Sequence, residues 1–178
     1  FGKNGNGITA QLGLLKDVDI IMATFGKSFG VFGAFVAADQ SIIDYLINYC
    51  RPFIFTTALP PFIIGAVKES LKTIIRESRG KIVLKKAAIL RRMLNSLSID
   101  TRFSDTQIIP VIVKSEKLAI DLMHHLWEGG FYVPAIRPPT VLPNSSRIRL
   151  SVAFQHTEEE IDRLCNEIRN WYEYKNLL

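Results

Sequence analysis

The chain has 178 residues, of which 48% are hydrophobic, with 22 Lys and Arg against 17 Asp and Glu. These values are typical of a globular protein with room for one good core, and they argue against a disordered or fibrous chain. The net charge of +5 does not indicate a nucleic-acid-binding protein, because the basic residues are scattered. We therefore expect no nucleic-acid partner.

Apolar segments and cysteines set further limits. No apolar run reaches the ~20 residues of a membrane-spanning helix, and the opening segment FGKNGNG lacks the apolar core of a signal peptide. We expect a soluble, cytoplasmic protein with no membrane partner, and a natural N-terminus that precedes Phe1. Cys50 and Cys165 form no CxxC pair, so we expect reduced, mostly buried thiols and no metal site.

The first half of the chain has the pattern of an α/β domain. Apolar runs predict a buried strand over 18–24 and a second strand over 33–38, and apolar residues at helical spacing predict a helix over 41–50. A short strand is expected at 53–57. Pro60 and Pro61 then open a long helix, because proline in the first turn of a helix loses no hydrogen bond. We expect residues 1–79 to be the last part of an α/β domain.

The second half, residues 80–178, is predicted to be a small αβ domain. Its pattern predicts a basic helix over 81–97, a strand over 107–113, a helix over 116–127, and strands over 131–133 and 147–153. A final helix follows. Thr157 and Glu160 have the spacing of a capping box, ahead of apolar residues spaced three and four apart.

A glycine-rich turn with a lysine follows the first predicted strand. In the string TFGKSFG, residues 24–30, Lys27 has small neighbours that leave room for a flat, phosphorylated ligand. A partly desolvated lysine amine can form a Schiff base. The spacing fits neither a P-loop, which would need a glycine at the position of Ile21, nor a dinucleotide-binding loop. The string alone does not decide between this function and an exposed lysine in an ordinary turn.

A proline-rich loop between two predicted strands carries Arg137 in the string AIRPPT. A guanidinium held by adjacent prolines can bind a carboxylate through two hydrogen bonds at little ordering cost. An arginine on the surface of the loop is the alternative interpretation. Arg147 and Arg149 alternate along the next predicted strand, and we expect them to form structural ion pairs.

Three segments together resemble the α-oxoamine synthases, a family of fold-type-I enzymes that use pyridoxal 5'-phosphate (PLP). The segments are DVDIIMATFGKSFGVFGAFVAAD, RPFIFTTALPP and FYVPAIRPPTVLPNSSRIRLSVAFQHTEEEID, in this order. The resemblance runs from Phe1 to about the final helix. It implies an α/β fold in which the end of a PLP-binding large domain is followed by a small C-terminal αβ domain.

The resemblance also implies roles for individual residues. Lys27 would carry PLP and move the α-proton of the substrate, and Thr24 would hydrogen-bond the cofactor phosphate. Thr56 and Thr57 match hydroxyls that, in this family, reach the phosphate from the neighbouring subunit; the alternative interpretation is a polar strand end before a helix that begins with proline. The match implies a homodimer with shared active sites.

The loop around Arg137 is expected to select the substrate. By resemblance, Arg137 would bind the substrate carboxylate and Thr140 would contact the substrate. The string AIRPPTV is most similar to the branch that joins L-alanine to a pimeloyl thioester, of CoA or of a carrier protein, with loss of CO₂, in biotin biosynthesis. A member of the glycine C-acetyltransferase or 5-aminolevulinate synthase type, and a truncated non-catalytic product, are the alternatives. Because the aspartate and histidine that contact the ring in this family would precede Phe1, we expect the isolated chain to be inactive.

Overall fold

The computed structural model describes the backbone of residues 1–178 and every side chain except that of Asn4. The chain divides into two compact units, Phe1–Gly80 and Lys81–Leu178. Helices and strands occur in both units, so the expected α/β class is confirmed.

The first unit contains a two-stranded antiparallel sheet and four α-helices. Strands β1 and β2 pair in a register that sets Ile20 opposite Ala38 and Thr24 opposite Ala34. After a 3-10 turn at Lys3–Gly5, the elements are α1 (Gly7–Gln11), β1 (Ile20–Thr24), β2 (Ala34–Ala38), α2 (Gln40–Tyr49), α3 (Arg51–Ile54) and α4 (Pro61–Glu77).

Two sequence predictions for this unit are wrong. The strand expected at 53–57 is absent, and Arg51–Ile54 forms helix α3 instead, because Pro52 stands in the first turn, where proline favours a helix. Strand β1 is also not buried. Its residues alternate between exposed and half-buried positions, because no second layer covers it in the described part of the chain.

Apolar side chains of the first unit are mostly exposed. Phe25, at 8% exposure, is the only described side chain of this unit that is buried. By contrast, Phe32, Phe55 and Phe62 are 73%, 75% and 72% exposed. Apolar exposure on this scale is typical of a surface that contacts another polypeptide.

The second unit is a three-stranded antiparallel sheet with three helices. Strand β5 is central, so Ile148 lies opposite both Val111 of β3 and Ala135 of β4. The elements are α5 (Arg79–Ser96), which begins at the boundary between the units, then β3 (Ile108–Lys114), α6 (Glu116–Glu128), β4 (Ala135–Ile136), β5 (Ser146–Ser151) and α7 (Glu158–Tyr174).

This unit closes its own core. The core draws on all three helices and on the sheet, and its fully buried members include Leu90, Leu94, Ile109, Val111, Leu122, Leu126, Ile148 and Ile168. The predicted capping box is confirmed. The Glu160 N–H donates to Thr157 Oγ1 at 3.2 Å, and the Thr157 N–H donates to Glu160 Oε2 at 2.9 Å.

The strand expected at 131–133 is wrong, and the pairing begins only at β4. The backbone of this segment closes helix α6 instead of joining the sheet. The Phe131 N–H donates to the Leu126 carbonyl at 2.8 Å, and Trp127 Nε1 donates to the Val133 carbonyl at 2.9 Å.

Cys50 and Cys165 are free thiols, and Cys165 is buried while Cys50 is only partly so. Among the described residues, no helix combines the length and the apolar composition needed to cross a bilayer. Within the same residues, no group of three His, Cys, Asp or Glu side chains could hold a metal ion.

Candidate functional site

Lys27 lies in the loop of residues 25–33 that joins β1 to β2. The Gly30 N–H donates to the Lys27 carbonyl at 3.0 Å, and the Val31 N–H donates to the Phe25 carbonyl at 2.9 Å. Gly30 has a φ of +64°, in the left-handed region that glycine enters without steric cost. The backbone on both sides of Lys27 is therefore held in a hydrogen-bonded turn.

An aromatic cluster of Phe25, Phe29 and Phe35 supports this turn. The ring of Phe25 lies edge-on to Phe29, with centroids 5.1 Å apart, and stacks on Phe35 with centroids 5.5 Å apart. Phe25 precedes Lys27 by two residues and is the buried residue of the unit. The aromatic packing thus fixes the chain directly before the lysine.

The side chains of Lys27 and Thr24 point to no protein partner. Both are exposed, and neither takes part in a hydrogen bond or ion pair among the described side chains. A primary amine and a hydroxyl three residues apart keep their full capacity to bind a ligand.

Thr56 and Thr57 lie in the segment between α3 and α4, and both are exposed. No hydrogen bond of the described side chains uses either hydroxyl. Two residues further on, Leu59 Cδ1 lies 3.0 Å from the position that a Cβ at Gly33 would occupy. This packing brings the threonine segment next to the loop that carries Lys27.

Arg137 and Thr140 lie in the second unit, in the loop between β4 and β5. The Thr140 N–H donates to the Arg137 carbonyl at 3.0 Å, and the peptide bond between Pro138 and Pro139 is cis. Both side chains are exposed and, within the described structure, form no hydrogen bond or ion pair. The turn is closed by its own backbone, so the guanidinium is available to a carboxylate.

The ion pairs expected for Arg147 and Arg149 are wrong. No salt bridge of the described side chains includes either residue. Arg147 Nε instead donates to the Ser145 carbonyl at 2.8 Å, which braces the start of β5.

Two residues that the sequence motifs do not single out support the Lys27 turn. Ser70 of α4 donates its hydroxyl to the Phe29 carbonyl at 2.8 Å, and Leu59 packs at Gly33. The Ser70 bond joins residues 41 positions apart. Helical periodicity can predict the face of α4 on which Ser70 lies, but it cannot predict a hydrogen bond to a carbonyl in a distant loop.

Residues 2–168 match the model of the family described as aminotransferase class I and II. The chain belongs to the aminotransferase class I and II family. It is 37% identical over 167 residues to the 8-amino-7-oxononanoate synthase of Geobacter sulfurreducens. The alignment covers 92% of this chain and 42% of that protein. It thus spans less than half the length of this curated relative.

Two solved structures share its fold. The 8-amino-7-oxononanoate synthase of Francisella tularensis superposes with a TM-score of 0.88 at 26% identity, over 99% of this chain and 52% of that one. A serine palmitoyltransferase variant of S. paucimobilis with a bound PLP-myriocin aldimine gives 0.91 at 25% identity, over 100% of this chain and 46% of that one. These matches confirm the fold-type-I architecture and the family resemblance carried by the three motifs.

Proposed function

We propose that the chain is the C-terminal part of a PLP-dependent C-acyltransferase. The complete enzyme would condense L-alanine with a pimeloyl thioester, with decarboxylation, to give 8-amino-7-oxononanoate in biotin biosynthesis. The observation that carries this proposal is an unpaired lysine on an anchored glycine-rich turn, in a chain 37% identical to a synthase of that name.

The residues around Lys27 fit PLP in their chemistry. An amine can bond to the cofactor aldehyde, and the hydroxyls of Thr24, Thr56 and Thr57 can donate to a phosphate. All are exposed. A Cβ added at Gly26 or Gly30 would meet no atom within 4 Å, so open space borders the lysine on both sides.

In this proposal each residue has a defined task. PLP, when bound, supplies the electron sink that stabilises negative charge at the substrate Cα. Lys27 Nζ would hold the cofactor and would move the α-proton of the substrate. The guanidinium of Arg137 binds the substrate carboxylate, which fixes the orientation of the Cα bonds, and Thr140 contacts the substrate.

We assign residues 1–79 to the C-terminal part of the PLP-binding large domain and residues 80–178 to the small C-terminal domain. The division between two compact units and the exposed apolar side chains of the first unit support this assignment. A homodimer with shared active sites follows from the resemblance at Thr56 and Thr57, and the enzyme would be soluble and cytoplasmic. The isolated chain is expected to be inactive.

The test compares L-alanine, glycine and serine as substrates of the complete protein that carries this chain, with pimeloyl-CoA or pimeloyl-carrier protein. We expect alanine to be preferred, measured by thiol release and by mass spectrometry of the product. Lys27→Ala should abolish both turnover and the visible absorption of the cofactor. Lys16→Ala, at another exposed lysine of the same unit, should keep both. A preference for glycine or serine would overturn the alanine assignment, and a colourless protein that binds no PLP would overturn the cofactor.

A further inference from the structure

We propose that Ser70, on helix α4, is a positioning residue for Lys27. Its hydroxyl donates to the carbonyl of Phe29 at 2.8 Å, and Phe29 follows Lys27 by two residues. The inference rests on the proposed function, in which Lys27 carries the cofactor, but the structural contact does not depend on it.

The Ser70 bond ties the Lys27 turn to a helix. The other two hydrogen bonds at residues 26–31, from Gly30 and from Val31, join residues of the loop to one another. They shape the turn but do not fix it to the rest of the unit. In the described part of the chain, Ser70 makes the single hydrogen bond between these residues and a helix.

The bond acts at the peptide group where the turn reverses. The Phe29 carbonyl belongs to the peptide that leads into Gly30, whose φ of +64° allows its N–H to reach the Lys27 carbonyl. Holding this peptide therefore holds the hydrogen bond that closes the turn on Lys27. A serine inside a helix often bonds to its own helix backbone, whereas here its hydroxyl is directed to a distant loop.

Loss of the hydroxyl should loosen the turn without unfolding the unit. The bond is partly buried, so water replaces it only in part. A net hydrogen-bond contribution of this kind corresponds to about a fivefold change in an equilibrium constant. A reacting group that samples more orientations reacts more slowly, because productive geometry is reached less often.

Ser70→Thr and Ser70→Val form the central pair of variants, because they have nearly the same size and differ in the hydroxyl. Hydrogen exchange of the Gly30 and Val31 amides in the 178-residue chain should be about fivefold faster for Ser70→Val than for Ser70→Thr. Ser41→Ala removes an exposed serine hydroxyl from α2 and should leave both amides unchanged. Equal exchange in Thr and Val variants would overturn the inference.

A second readout follows Lys27 itself. The chain is incubated with PLP, so that the Lys27 amine adds to the aldehyde carbon and water leaves. Borohydride then reduces the new C=N bond to a stable secondary amine, which is quantified in the Lys27 peptide by mass spectrometry. We expect slower modification for Ser70→Val and recovery for Ser70→Thr.

The two readouts separate the two hypotheses. Absence of any modification at Lys27 in the unaltered chain would contradict cofactor binding, while the exchange data would still decide the structural role of Ser70. Modification at equal rates in the two variants would refute the positioning role even though Lys27 binds PLP.

Discussion

Glycine-to-alanine substitutions around Lys27 test how its loop is held. An added Cβ at Gly26 meets no atom within 4 Å, and the backbone there has no positive φ. At Gly30 the space is equally open, but φ is +64°. At Gly33 φ is +114°, and the new Cβ would lie 3.0 Å from Leu59 Cδ1 and 3.4 Å from Phe25 Cδ2. An alanine at Gly30 therefore adds backbone strain that is absent at Gly26, and an alanine at Gly33 adds a close side-chain contact as well.

The expected costs follow in the same order. Gly26→Ala should be neutral or stabilise the loop by about 0.4–1 kcal/mol, because alanine restricts the unfolded chain. Gly30→Ala should destabilise the closed loop by about 1–2 kcal/mol, because a residue with a Cβ is strained in the left-handed conformation. Gly33→Ala should cost about 2–4 kcal/mol, because overpacking against Leu59 and Phe25 adds to the backbone strain. The flexible end of Leu59 can shift, which keeps the cost below the sum of the upper limits.

Hydrogen exchange of the Phe25 and Val31 amides measures these costs locally. The Phe25 N–H donates to the Gly33 carbonyl at 2.8 Å, and the Val31 N–H donates to the Phe25 carbonyl at 2.9 Å, so both amides exchange when the loop opens. We expect protection to fall from Gly26→Ala through Gly30→Ala to Gly33→Ala. If Gly33→Ala is as well protected as Gly26→Ala, the packing of Leu59 and Phe25 does not hold the loop.

Three further predictions concern the second unit. Thr157→Ala should lower the free energy of unfolding in urea by about 1 kcal/mol through loss of the capping box, whereas Glu160→Gln preserves the motif and should cost less; equal costs would refute the reciprocal cap. Leu122→Ala, at a fully buried site, should lower the free energy of unfolding by about 2–5 kcal/mol. Leu142→Ala, at 79% exposure, should change it by less than about 0.5 kcal/mol. Burial, with a smaller effect of a nearby aspartate, raises the pKa of Tyr172 to about 12. Its stabilising contribution is thus complete below about pH 10 and is lost as the pH rises towards 12; Tyr172→Phe should remove this alkaline loss, and an unchanged pH profile would contradict it.

Local signals in the sequence predicted the elements that depend on local chemistry. Helix α7 begins where Thr157 and Glu160 cap it, and its apolar positions lie in the core as their spacing indicates. The strand prediction at 131–133 is wrong because a short apolar run favours a strand. In the structure, the Phe131 N–H and the Val133 carbonyl instead form hydrogen bonds with the end of α6, which periodicity cannot predict.

The sequence singles out the candidate residues, whereas their surroundings are seen only in the structure. The strings around Lys27 and Arg137 identified amine, hydroxyl and guanidinium groups that the structure leaves unpaired among the described residues. Exposure of Lys27 could not be read from its string, because burial depends on which chain covers β1 and its loop. The partner of Ser70 was equally hidden, since the contact spans 41 residues.

The exposure of Lys27 and the anchoring of its turn have different physical origins. The position of the lysine and the reactivity of its amine can therefore be considered separately. Positioning is local: Phe25 packs with its neighbours and Ser70 holds the turn within the first unit. The desolvation that activates a lysine needs surrounding low-dielectric material, which the described residues do not place around Lys27. Under the proposed function, PLP should therefore react with Lys27 of the isolated chain slowly but selectively. In the complete protein, PLP should react with the same residue faster. Random modification of exposed lysines in the isolated chain would show that the turn alone confers no preference.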